Sequence, residues 1–71
     1  MKEKLYKALR SKAKSERDEA LAMLEVYFEN PTINQNSEYI LEEMNFALNK
    51  LTIAEYKLDT LRRHFDDTPP F

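Results

Sequence analysis

Few side chains in this chain could carry chemistry, and their spacing does not favour it. His64 is the only histidine and cysteine is absent, so one chain builds no thiolate nucleophile, disulfide or thiolate metal site. His64 follows Arg62 and Arg63, where a helix C-terminus favours a solvated imidazole over a tuned general base. Ser11, Ser15 and Ser37 have no histidine near them in the sequence to activate a hydroxyl. Glu38, Glu42 and Glu43 share helical spacing, a pattern that more often makes a solvated surface than a hard-cation site. Neither H-E-x-x-H nor Glu-x-x-His occurs, which removes the zinc-protease and bundle-type di-iron motifs. Glycine is absent, and with it the loops that cradle phosphates or dinucleotides. The reading is non-catalytic: not an enzyme, with no metal and no cofactor.

The elements that must position these groups are helices. The chain is 71 residues long, 34% charged, with a net charge of −2, which bounds it to one small domain. Residues 2–29 hold no proline and are rich in Ala, Leu, Lys, Glu and Arg, the strong helix formers. Asn30-Pro31 ends that run, because proline bars the α conformation before it and donates no hydrogen bond. A polar connector at 30–36 follows, and Ser37 is placed to cap a second helix over about 37–65. Residues 66–71 read as a flexible tail. A connector this short returns the chain on itself, so residues 1–65 are expected to form an all-α, antiparallel two-helix hairpin. No apolar run approaches a membrane span and the N-terminus lacks a signal-type apolar region. A cytoplasmic protein without membrane contact is therefore expected.

The apolar pattern says how the helices should meet. On helix 2, Ile40, Met44, Ala47, Leu51, Ala54, Leu58, Leu61 and Phe65 follow alternating steps of four and three, the seam of a coiled coil. Helix 1 carries a weaker line through Tyr6, Leu9, Ala13, Glu16, Ala20, Met23 or Leu24, and Tyr27. Folding about residues 33–34 sets Ala20 opposite Ala47, Ala13 opposite Ala54, Leu9 opposite Leu58 and Tyr6 opposite Leu61. Glu16 then falls opposite Leu51, at the edge of the seam. A second stripe, Tyr39, Phe46 and Ile53, recurs every seven residues off the main seam. Two apolar faces on one helix call for two partners, and so short a chain gains little from one core. The expected assembly is a homodimer of hairpins in a four-helix bundle.

Charge supplies an orientation. Residues 1–17 carry seven basic and two acidic side chains; residues 18–49 carry seven acidic and none basic. Two hairpins with opposed ends match basic half to acidic half, and complementarity of this kind sets orientation more than affinity. The alternative function is nucleic-acid binding by Lys4, Lys7, Arg10 and Lys14 on the outer surface of helix 1, since a basic stripe suffices for phosphate contact.

Tyr27-Phe28-Glu29-Asn30-Pro31 and the segment Leu48-Asn49-Lys50-Leu51-Thr52-Ile53-Ala54-Glu55-Tyr56-Lys57-Leu58 resemble a group of small helical proteins from tailed phages of marine and cyanobacterial hosts. Thr32 to Asn36 lacks the glycines of that group's turn. The resemblance implies no activity; it implies a phage accessory or assembly factor acting through self-association and contacts with another protein. In architecture alone, the expected dimer is similar to plasmid-encoded RNA-binding helical hairpins that regulate replication.

Overall fold

A computed structural model describes residues 2–29 and 37–65 of the chain, which form two helices, α1 (Lys2–Glu29) and α2 (Ser37–Phe65). The connector at 30–36, the tail at 66–71 and the capping side chain of Ser37 lie outside the described residues. Charge placement suits each helix end but one. Glu3 and Glu38 occupy the first turns of α1 and α2, and Arg62, Arg63 and His64 the last turn of α2, each where the backbone dipole favours that sign. The last turn of α1 has no base and carries Glu29. Its stop is therefore imposed by the backbone chemistry of Asn30-Pro31 and not by charge.

The helices pack against each other, and two ion pairs give their direction. Lys57 Nζ donates to Glu16 Oε1 at 3.3 Å, and Lys50 Nζ lies 3.8 Å from Glu19 Oε1. As α1 advances from 16 to 19, α2 retreats from 57 to 50, so the pair is antiparallel. The principal extents are 50 × 22 × 16 Å, about two helix diameters wide and little more than one thick.

Why the helices come together where they do is decided by four methyl groups. Ala13, Ala20, Ala47 and Ala54 are the fully buried residues among those described. They are the alanines that the seven-residue spacing sets across from one another. Small side chains at the contact let the axes approach toward the lower end of the usual 8–10 Å. Larger seam residues then cannot enter the contact and splay to its sides: Tyr6, Leu24, Tyr27, Ile40, Met44, Leu51, Leu58 and Leu61 are half-buried. Leu9, expected in the core, is 57% exposed. It lies about 40° off the alanine line by helical periodicity, toward a side of the hairpin that no third helix covers.

Burying an alanine methyl is worth only about 0.8 kcal/mol, so close approach is more sensitive to added volume than to lost area. Ala20→Leu is expected to force the helices apart and destabilise the fold by about 1–3 kcal/mol. Ala22→Leu, at an exposed position of the same helix, should leave thermal unfolding by circular dichroism almost unchanged.

Candidate interaction surface

At about 100° per residue, residues to one side of the alanine line on α1 and on α2 share one flank of the hairpin. On the first flank, Leu9, Ala13 and Glu16 of α1 and Tyr56, Lys57 and Thr60 of α2 line a groove of about 440 Å³. The groove lies in the open half, near Lys2 and Phe65. Toward the closed end, where the chain passes from Glu29 to Ser37, the flank continues along α2 through Ile53, Phe46 and Tyr39. Phe46 and Ile53 border a shallow depression together with Glu42, Asn45, Asn49 and Lys50. Both are half exposed or more.

The two threonine hydroxyls of α2 differ in their partners. Thr52 Oγ1 donates to the Leu48 carbonyl one turn back at 2.9 Å, the usual local partner for a helical threonine. Thr60 Oγ1 is buried and has no hydrogen-bond partner among the described residues. The Tyr39 phenol donates to the Glu43 carboxylate. That hydrogen bond, with the charge of Glu43, partial desolvation and the nearby Tyr27, raises the Tyr39 pKa above the ordinary tyrosine value, since a phenolate beside a carboxylate is disfavoured.

The second flank is divided along its length. In the open half, Arg10, Lys14 and Arg17 of α1 and Leu58, Asp59 and Arg62 of α2 line a cleft of about 330 Å³. Arg62 Nη2 donates to Asp59 Oδ1 at 2.7 Å, and Arg63 Nε donates to Asp59 Oδ2 at 2.9 Å. The Arg62 hydrogen bond holds the Asp59 carboxyl below the usual aspartate range; desolvation opposes it and Arg63 adds to it. In the closed half the same flank is apolar, with Leu21, Phe28, Leu41 and Leu48 exposed, Phe28 to 70%.

The structure sorts the residues expected to carry function. Ala13, Ala20, Ala47 and Ala54 come together at the helix contact, with Leu24, Leu51, Leu58 and Leu61 half-buried beside it. Tyr39, Phe46 and Ile53 form one exposed line. Of the basic set, Arg10 and Lys14 share the second-flank cleft, whereas Lys4 and Lys7 stand outside it. Arg17 and Arg62 complete that cleft and were not among the residues singled out. Steps of four and three through 10, 14 and 17 give the first from sequence; the second arrives only through the helix register. Glu16, expected opposite Leu51, reaches Lys57 instead, because by helical periodicity both lie on the first-flank side of the alanine line and Leu51 on the other. His64 is exposed and its ring lies 6.2 Å from that of Phe65, tilted by 57°.

Among the described residues, no cluster of His, Cys, Asp and Glu is placed to hold a metal ion, and no helix is long and apolar enough to cross a membrane. Comparison with protein-family models, curated proteins and solved structures finds no match to this chain. The arrangement offers apolar and charged surfaces for contact.

Since its folded pKa is lowered, Asp59 should contribute stability that is present above the unfolded aspartate value near 4 and is lost as pH falls through the folded one. A carboxyl-carbon NMR titration should place its midpoint below the ordinary aspartate value. In Arg62→Ala, the Asp59 midpoint should move up toward the ordinary value.

Proposed function

We propose that this chain is a non-catalytic helical interaction protein that dimerises into an antiparallel four-helix bundle and offers its remaining surface to a second protein. One observation carries the reading: the fully buried residues among those described are four alanines, while Phe28, Phe46, Ile53, Leu41 and Leu48 face solvent. The accessible surface is 6035 Å², against about 4,700 Å² for a compact chain of this mass. The difference exceeds the roughly 800 Å² that each partner contributes to a standard interface. A role as a phage accessory or assembly factor, in the cytoplasm of a host cell, rests on the sequence resemblance alone.

A second reading, a nucleic-acid-binding regulator, is favoured by the cleft that gathers Arg10, Lys14, Arg17 and Arg62. Asp59 neutralises part of this cluster through Arg62 and Arg63, and the overall charge is −2, so protein contact is the stronger reading. A salt-dependent RNA or DNA mobility shift, lost in Arg10→Glu/Lys14→Glu, would promote the alternative.

Sedimentation equilibrium tests the main reading. At micromolar concentration the mass should be twice the 8.5 kDa of one chain, falling on dilution together with the helical circular dichroism. A constant single-chain mass with full helicity at nanomolar dilution would overturn self-association.

A further inference from the structure

Among the described residues, the ion pairs that cross the hairpin keep to one side. Glu16 and Glu19 of α1 meet Lys57 and Lys50 of α2, and by helical periodicity all four lie on the first flank. On the second flank the same register sets base against base. Six residues back along α1 from Glu16, and five forward along α2 from Lys57, Arg10 and Arg62 come level to within about 1.5 Å along the axis. Both line the cleft of about 330 Å³, together with Lys14, Arg17 and Asp59.

The one carboxylate of the cleft does not balance these charges. Asp59 accepts from Arg62 at Oδ1 and from Arg63 at Oδ2, so both its oxygens are engaged within α2. Arg17 Nε donates to Asp18, its neighbour on α1, at 3.1 Å. Lys14 is half-buried, and neither it nor Arg10 has a side-chain hydrogen bond or ion pair among the described residues. Four cations from two helices therefore converge with no carboxylate bridging them. We infer that this cleft binds a small free phosphate, inorganic phosphate or pyrophosphate, which ties Arg10 and Lys14 of α1 to Arg62 of α2. The inference does not depend on the self-association proposed above. It shares residues with the nucleic-acid reading but gives them a different ligand.

The donor set suits that ligand. Guanidinium forks match phosphate oxygens in pairs, and an ammonium adds a point charge. Tyr6 also lines the cleft and carries a phenolic donor. A cleft lined mainly by one sign of charge concentrates the opposite ion. A phosphate bearing two or more charges can meet both helices at once, doing on the second flank what Glu16 and Glu19 do on the first. The positive stretch is also short. Beyond Arg17, helical periodicity brings Asp18, Glu25 and Glu55 toward this flank, followed by the exposed Leu21 and Leu48. A long polyanion running that way would meet carboxylates and apolar surface; a small one fits within the basic part.

Inorganic phosphate and pyrophosphate, compared with chloride at equal ionic strength, test this on the full chain. Pyrophosphate should raise the thermal unfolding temperature further than chloride does, by an amount that follows the logarithm of its concentration above the dissociation constant, as a ligand of the folded state must. By calorimetric titration, Arg10→Gln and Lys14→Gln should each weaken pyrophosphate binding about tenfold. Lys4→Gln, outside the cleft, should leave it unchanged. In chloride alone Arg10→Gln should unfold no earlier than the wild type, since it removes a base that faces a base. Equal shifts in pyrophosphate and chloride, or pyrophosphate binding that survives Arg10→Gln/Lys14→Gln, would overturn the site. A short oligonucleotide without a terminal phosphate that binds more tightly than pyrophosphate, and is lost in the same variants, would overturn the free ligand in favour of the nucleic-acid reading. Sedimentation in chloride reads self-association separately, so either conclusion can fail without the other.

Discussion

Close approach of two helix backbones over facing alanines governs this structure. Ala13, Ala20, Ala47 and Ala54 are the smallest residues that keep a helix favourable, and burying them completely draws the axes together. The cost is that nothing larger fits between the helices. Tyr, Leu, Met and Ile at the other seam positions are pushed to the flanks and remain half in water. Tight packing at the centre and exposed apolar surface at the sides are thus two consequences of one choice of side chain. A hairpin with leucine at those four positions would hold its helices further apart and cover more of its own seam.

Polar groups refine this arrangement without holding it. The Glu16–Lys57 and Glu19–Lys50 pairs bridge the helices, but both lie at the solvent margin, where such pairs add little stability. Their value is directional: they are satisfied in the antiparallel register and would be broken by sliding one helix by a turn. Asp59 acts within α2, holding Arg62 and Arg63 and shaping how much bare positive charge the second flank presents. The two flanks consequently differ. One carries an exposed apolar stripe through Tyr39, Phe46 and Ile53; the other separates a basic half from an apolar half.

Much of the fold could be read in the residue string. Helix-forming composition on both sides of Asn30-Pro31 predicts two helices, and the structure has them at Lys2–Glu29 and Ser37–Phe65. The alternating steps of four and three through Ala47 and Ala54 predict which side of α2 meets α1. The surface was less legible. Leu9 carries seam spacing and still lies exposed, since its burial depends on how far the neighbouring backbone has been drawn in. Arg62 joins Arg10, Lys14 and Arg17 in one cleft although it lies far from them along the chain. That the Thr60 hydroxyl has no partner among the described residues carries no sequence signature, because the same residue type at Thr52 bonds its own backbone.

By itself, then, the order of residues determined the local matters: where each helix begins to be favourable, where proline stops it, which stripe is apolar, and that no cysteine or glycine chemistry is available. Those follow from backbone propensity and periodicity, which act over a few residues. Only the packed pair decided which apolar side chains are covered and which stand in water. That outcome depends on the distance between two helix axes, a quantity set jointly by residues some thirty or more positions apart and legible in neither helix alone.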